Sequence, residues 1–235
     1  MSIQIQKLLS NPVALTLFLA TIATTLAAWQ NQYLKEKLIL RPYAFVSRKQ
    51  YFTVITSGFI HADWMHLIMN MVTFYYFAFN LEHYFTYLQC VRVGEMPTLT
   101  EQRIAEVLGH SKFLIIYLAS MVLADLTTII KYKDIPSYSC LGASGAISGV
   151  VMSSIILGPA MREEIWIFGF LPGWLFAILY IVSSHFASRR QYDNVAHEAH
   201  MWGAIAGIVF SFIMFPHESW KFIESMRDTL YGWTH

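Results

Sequence analysis

Two side chains that could perform chemistry together lie in apolar parts of this 235-residue chain: the serine Ser144 and the histidine His200. A serine hydroxyl becomes a strong nucleophile when a neighbouring base accepts its proton. Imidazole titrates near neutral pH and acts as that base when it lies within hydrogen-bond distance of the serine oxygen. The pair therefore indicates acyl transfer, with Ser144 as the nucleophile and His200 as the general base.

Acyl transfer also requires hydrogen-bond donors for the oxyanion that develops on the attacked carbonyl. Three groups are suitable: the amide of Asn70, the ring N–H of His66, and the backbone N–H of Ser144 at a helix N-terminus. Because His66 and Asn70 are four positions apart, they share one face of a helix. We expect these two side chains to stabilise the oxyanion.

The composition shows which kind of fold must position these residues. Hydrophobic residues make up 56% of the chain and charged residues only 13%, against about 25% charged in an average soluble domain. These values exclude a disordered chain, a coiled coil and an ordinary water-soluble enzyme. The net charge of +1 leaves no broad basic surface, so we expect no nucleic-acid partner. Cys90 and Cys140 form neither a disulfide framework nor a metal-ligand pattern.

Apolar runs of the length needed to cross a membrane, about 20 residues for roughly 30 Å of hydrocarbon, occur six times. They cover residues 13–29, 65–84, 113–130, 141–157, 165–186 and 199–215. The first run is longer than a signal-peptide core of about 7 to 15 residues, so we expect it to be retained. The sequence predicts an all-α polytopic membrane protein with a six-transmembrane-helix bundle. We assign residues 1–235 to a single domain with a core of about 13–215.

The order of the spans brings the polar residues together. Spans 2, 4 and 6 cross the membrane in the same direction, so their N-terminal ends lie on the same face. His66, Ser144 and His200 are all near those ends. We therefore expect them to meet in one shallow intramembrane cavity.

Glycines on spans 4 and 6 favour close contact between these two helices. Gly145 and Gly149 form a GxxxG pair in span 4, and Gly203 and Gly207 lie three and seven positions after His200 in span 6. Small residues at this spacing allow helix backbones to approach each other closely. The two glycine faces should bring Ser144 and His200 together.

The motifs resemble those of the rhomboid intramembrane serine proteases. Residues 61–71 are similar to the family's HxxxxHLxxNM, residues 142–145 to GxSG, and residues 199–207 to AHxxGxxxG. The resemblance implies a Ser-His dyad without a carboxylate, which cleaves peptide bonds in or near transmembrane helices of other membrane proteins. Ser144 would be the nucleophile, His200 the base, and His66 with Asn70 the side-chain part of the oxyanion hole. No metal or organic cofactor is implied.

Two further positions bear on the resemblance. Rhomboids tend to have an aromatic residue four positions after the nucleophile that packs on the histidine ring, whereas this chain has Ser148 there. The sequence therefore leaves open what orients His200. Glu82, sixteen positions after His66, resembles the family's glutamate that braces the first loop.

Other interpretations of the polar residues fit the sequence less well. His197 could be aligned to the span 6 motif, but the residues three and seven positions after it are His200 and Ala204, which break the glycine face. The histidines could form a metal cluster, but no carboxylate or cysteine motif completes it. Asp125, inside span 3, is expected to hydrogen-bond to a neighbouring helix rather than to act in catalysis.

The alternative function is that of a non-catalytic rhomboid-like protein that binds transmembrane helices, although such a protein is expected to have lost the nucleophile or the base. A channel or transporter would show an internal hydropathy repeat, and none is visible. The expected partners are a transmembrane protein substrate and the lipid bilayer, and the oligomeric state is left open. We expect a multi-pass protein of the bacterial inner membrane. Basic residues are too evenly distributed between the loops to give its orientation.

Overall fold

Helices make up the regular structure of the described residues. The structure is a computed structural model and describes residues 3–94, 97–158, 172–190 and 197–234. Within these ranges it contains no β-strand, and Leu40 and Cys140 form an isolated antiparallel bridge. The all-helical class predicted from the sequence is confirmed for these ranges.

Eleven α-helices and one 3-10 turn follow one another along the described residues. They are α1 (Ile3–Leu9), α2 (Pro12–Gln30), α3 (Gln32–Leu38), α4 (Pro42–Ser47), α5 (Thr53–Thr56), the 3-10 turn (Ser57–Phe59), α6 (Trp64–Arg92), α7 (Leu99–Tyr132), α8 (Ser144–Leu157), α9 (Gly173–Arg190), α10 (His197–Met214) and α11 (Pro216–Thr234).

Three of the long helices begin at residues that suit a helix N-terminus, because they either lack a backbone N–H or accept hydrogen bonds from the first N–H groups. Pro12 is the first residue of α2, where its fixed φ suits a helix and its missing N–H is not needed. The Asp63 side chain accepts a hydrogen bond from the His66 N–H and starts α6. Thr98 and Glu101 form a reciprocal capping box at the start of α7, a pattern that satisfies two otherwise unpaired donors.

Helix α8 lies at the centre of the bundle. It contacts α6, α7 and α10, and all of its residues after Ser144 are buried. The core around it is rich in aromatic and aliphatic side chains such as Phe74, Tyr117, Met152 and Ile155, each less than 2% exposed. The helix that carries the serine is therefore held by protein on several sides.

The predicted contact between the glycine faces is present. A Cβ atom on Gly203 would overlap the carbonyl oxygen of Gly145, and a Cβ atom on Gly207 would overlap that of Gly149. Only glycine allows the backbones of α8 and α10 to come so close. This contact determines how near the first turns of the two helices can be.

Fewer than six of the described helices pass a test of length and hydropathy for a membrane span. Of the described helices, α2 and α7 are long and apolar enough to cross a membrane, and α10 with α11 would be a third span bent by 115°. Helix α8 has 14 residues, which give about 21 Å at 1.5 Å each. The polar side chains of α6 lower its mean hydropathy. Six spans are therefore not confirmed.

Several helix boundaries also differ from those of the predicted runs. Helix α6 extends to Arg92 beyond the second run, and α7 begins at Leu99, before the third run. The fourth run was expected to begin at residue 141, whereas α8 begins at Ser144, because Gly142 has a φ of 117° and is not helical. Part of the fifth run, residues 165–171, lies outside the described residues, and α9 begins at Gly173.

Candidate functional site

Ser144 and His200 are in direct contact. Ser144 is the first residue of α8, and His200 lies in the first turn of α10. The Nε2 atom of His200 is 2.6 Å from the Oγ atom of Ser144. This is the distance at which a hydroxyl proton passes to an imidazole nitrogen. The close backbone contact between α8 and α10 accounts for it.

The segment before Ser144 depends on Gly142. Its φ of 117° is in the left-handed region that side-chain-bearing residues rarely adopt. A Cβ atom at this position would lie 2.7 Å from the imidazole ring of His66. The Gly142 N–H donates to the carbonyl oxygen of Ser57 at 2.9 Å. Gly142 therefore lets the chain turn into α8 while the His66 ring lies against its backbone.

His66 and Asn70 lie one turn apart on α6. Asn70 donates from Nδ2 to the His66 carbonyl oxygen at 2.8 Å. An amide nitrogen carries two hydrogens, so this bond uses one and leaves the other for a substrate oxygen. The His66 ring lies beside the GxSG segment, as its contact with Gly142 shows. Oxyanion binding by these two side chains remains a prediction.

His61 contacts the residue directly before Ser144, a role that the sequence did not indicate. The side chain is buried, and its Nε2 atom accepts a long hydrogen bond of 3.4 Å from the Ala143 N–H. Its Nδ1 atom is 3.1 Å from the Oγ1 atom of Thr25, whose own hydrogen is donated to the Phe59 carbonyl oxygen. The His61 Nδ1–H is therefore the donor to Thr25.

This environment keeps His61 neutral. Burial is the main cause that lowers its pKa to about 3 from an ordinary value of 6.5, and His66 nearby lowers it further. Both ring nitrogens have protein partners, which does not suit the metal-cluster interpretation. Among the described residues, no three His, Cys, Asp or Glu side chains form a potential metal site.

Only one of the two histidines at the start of α10 is hydrogen-bonded to Ser144. The His200 ring contacts Ser144, whereas His197 is the first residue of α10 and has its ring centroid 6.1 Å from that of His200. An ion pair between Lys131 at the end of α7 and Glu198 holds the start of α10. This pair ties the helix that carries the candidate base to its neighbour.

Asp125 lines the same cavity as Ser144. Its Oδ2 atom accepts a hydrogen bond of 3.2 Å from Ser57, a residue of the 3-10 turn rather than of a long neighbouring helix. Asp125 and Ser144 both line one open cavity, together with Cys140 and Gly142. The only signal in the sequence was a carboxylate inside an apolar run.

Glu82 has a different role from the one that the resemblance implied. Its carboxylate accepts hydrogen bonds from the N–H groups of Val13 at 3.1 Å and Ala14 at 2.7 Å. His110 Nδ1 lies 2.6 Å from the same carboxylate. Glu82 therefore caps the N-terminus of α2 instead of bracing the loop that follows α2.

The sequence of this chain is similar to a known domain family and to a plant protein. A sequence model of the rhomboid domain matches residues 48–94 and 97–217, which are more than half of the chain. The chain is also similar to RHOMBOID-like protein 12, mitochondrial, from Arabidopsis thaliana. The two are 27% identical over 209 residues, which are 87% of this chain and 59% of the plant protein. The match thus spans less than two thirds of that relative.

Proposed function

Because the chain belongs to the rhomboid family, we propose that it is an intramembrane serine endopeptidase with Ser144 as nucleophile and His200 as general base. The observation that carries the proposal is the 2.6 Å contact between Ser144 Oγ and His200 Nε2. The contact lies at the N-terminus of a buried helix, where the backbone N–H groups favour negative charge. Such donors are what an oxyanion requires.

The proposed reaction proceeds in two halves. Ser144 Oγ attacks the carbonyl carbon of the scissile peptide bond while His200 Nε2 accepts the hydroxyl proton. The C–N bond then breaks, and the leaving amine takes the proton from His200. In the second half, water attacks the carbonyl carbon of the ester while His200 accepts a proton from that water. The bond between this carbon and Ser144 Oγ then breaks, the carboxylic acid product is released, and Ser144 Oγ takes the proton from His200. The Ser144 N–H, His66 and Asn70 stabilise the oxyanion in both halves.

The substrate in this proposal is a transmembrane segment of another membrane protein. A continuous helix satisfies its own backbone hydrogen bonds and so hides its carbonyl groups. Substrates with small or helix-breaking residues near the cleavage point should therefore be preferred. The proposed enzyme has the six-span rhomboid architecture. Its fourth span is the short helix α8, which is surrounded by protein rather than by lipid.

The family and the apolar helices support an integral membrane protein, without indicating which membrane contains it. The expectation of a bacterial inner membrane gains no support, because the plant relative is a mitochondrial protein. That relative is also named only as rhomboid-like, which keeps a non-catalytic protein that binds transmembrane helices as the second candidate function.

The test is labelling of the purified protein by a fluorophosphonate probe, which forms a covalent bond with an activated serine. We expect labelling of the wild type and of His197→Ala, and its loss in Ser144→Ala and His200→Ala. EDTA should leave the labelling unchanged, since no step uses a metal. Absence of labelling in the folded wild type would favour the non-catalytic candidate, and loss with EDTA that zinc restores would overturn the serine mechanism.

A further inference from the structure

A chain of hydrogen bonds links α9 to the residue that carries the candidate nucleophile. The Oη atom of Tyr180 on α9 is 2.6 Å from the Oγ atom of Ser148 on α8. Ser148 in turn donates to the carbonyl oxygen of Ser144, one turn earlier, at 2.8 Å. The chain therefore runs from one helix to the backbone of the serine on another.

The direction of this chain follows from the number of hydrogens. A serine hydroxyl has one hydrogen and two acceptor sites. Because the hydrogen of Ser148 is donated to the Ser144 carbonyl oxygen, the hydroxyl of Tyr180 must be the donor to Ser148. Hydrogen bonds in such a series polarise one another and are strengthened in a low-dielectric interior. Ser148 is only 5% exposed, so its two bonds meet this condition.

The chain acts in a part of α8 whose side toward α10 has no side chains. The residues that face α10 in this turn are Gly145 and Gly149, which have no side chains to interlock with it. The hydrogen bond to the Ser144 carbonyl oxygen therefore adds a directional side-chain contact to the first turn of α8. It comes from α9, an element that contributes no residue to the Ser144–His200 pair.

We propose that Tyr180 is a positioning residue for Ser144. Its hydroxyl acts through Ser148 to fix the first turn of α8, and with it the orientation of Ser144 Oγ relative to His200 Nε2. The reactivity of the serine thereby depends on the position of α9. This inference rests on the proposed function, because it concerns the alignment of the same serine and base.

The experiment measures the kinetics of Ser144 modification by the fluorophosphonate probe, with the maximal rate kinact separated from the probe affinity KI. Tyr180→Phe removes only the hydroxyl, and Ser148→Ala removes the intermediate link. We expect each to lower kinact by about 5- to 20-fold with KI unchanged, since small misalignments of reacting groups are costly. The double variant should be no slower than Ser148→Ala, because the two residues act in one chain.

Tyr117→Phe provides the matched control. Tyr117 is fully buried on α7, and its hydroxyl has no hydrogen-bond partner among the described residues. Loss of this hydroxyl should leave kinact at the wild-type value. Thermal unfolding of every variant separates the loss of alignment from a loss of folded protein, because only the former changes kinact per folded molecule.

The outcomes of this experiment distinguish a failure of the positioning role from a failure of the proposed protease function. Wild-type labelling that Ser144→Ala abolishes, together with an unchanged kinact in Tyr180→Phe, would overturn only the positioning role. A change confined to KI, or additive effects in the double variant, would do the same. A wild type without labelling at Ser144 would overturn the proposed function and this inference together.

Discussion

At the residue scale, the presentation of Ser144 depends on the two residues that hold the segment before it. Gly142 provides a backbone turn that few other residues adopt, and His61 accepts a hydrogen bond from the Ala143 N–H. Neither residue is the hydrogen-bond partner of the Ser144 hydroxyl, which is His200. They matter because Ser144 is the first residue of its helix, and a shift of the preceding segment would move it directly.

A substitution of Gly142 should therefore affect both stability and reactivity. Gly142→Ala forces a side chain into the left-handed region, at a cost of about 1–3 kcal/mol, and places its Cβ against the His66 ring. We expect the rate of fluorophosphonate labelling to fall by at least about 10-fold.

Gly94→Ala is the matched control for this prediction. Gly94 has a φ of 94° but no atom within 4 Å of the added Cβ, so it should lose stability from strain without a change in labelling. Equal labelling rates in Gly142→Ala and the wild type would contradict the role assigned to this turn.

The buried, neutral His61 predicts a dependence of stability on pH. Its pKa is about 3 when folded, against an ordinary value of 6.5, so the unfolded chain binds a proton that the folded one does not. The stability from His61 is fully present above pH 6.5 and is lost as the pH falls toward 3. Within this window the free energy of unfolding should fall by about 1.4 kcal/mol per pH unit from this group.

His61→Gln isolates this contribution, because the other titrating groups are the same in both proteins. Chemical unfolding of the two proteins between pH 7 and pH 4 should show a smaller slope for the variant. Parallel stability curves would show that His61 is not held neutral by its surroundings.

At the scale of the helices, the contact between α8 and α10 sets the distance between the candidate nucleophile and base. The two helices meet through Gly145, Gly149, Gly203 and Gly207, with backbone against backbone. The GxxxG spacing in the sequence was sufficient to predict this contact, because the pattern depends only on local helical geometry.

Gly207→Ala should separate these helices. The added Cβ would overlap the backbone of Gly149, which cannot move as a flexible side chain does, so we expect a loss of about 1–3 kcal/mol in stability. Labelling of Ser144 should also slow, although Gly207 lies two turns from His200.

Gly232→Ala on α11 is the control for this helix contact, since no atom lies within 4 Å of its added Cβ. Alanine is favoured over glycine in a helix, so this variant should be as stable as the wild type or slightly more stable. Wild-type stability and labelling in Gly207→Ala would mean that the backbones are not in close contact.

Other contacts between elements could not be predicted from the sequence. The hydrogen bonds of Glu82 to α2 and of Tyr180 to Ser148 join residues far apart in the chain, and no local pattern encodes them. Likewise, a tyrosine in an apolar run gives no signal of its partner. The motifs predicted which residues could react, whereas the residues that hold them in place emerged only from the tertiary contacts.

At the scale of the whole molecule, the protein combines lipid-facing helices with a central helix that is surrounded by protein. The apolar runs predicted an all-helical membrane protein with six spans, whereas two or three of the described helices qualify as spans by length and hydropathy. Apolar runs measure burial without distinguishing lipid from protein. The 14-residue helix α8 is buried among its neighbours, so its length need not match the bilayer.

The same architecture explains how hydrolysis could take place within a membrane. The segment before α8 is irregular, yet the N–H groups of Cys140, Gly142 and Ala143 donate hydrogen bonds to Leu40, Ser57 and His61. Irregular backbone at membrane depth is tolerated where protein or a water-filled cavity satisfies it. The open cavity lined by Asp125 and Ser144 gives water a place beside the serine, as the second half of the proposed reaction requires.

The most direct test of the central claim is cleavage of a reporter helix by the purified protein in liposomes. Two reporters would be compared, one with glycine and proline at its centre and one with an uninterrupted leucine helix. We predict that the wild type cleaves the interrupted helix faster, and that Ser144→Ala and His200→Ala cleave neither. Cleavage by Ser144→Ala at the wild-type rate would contradict the assignment of this protein as a serine protease.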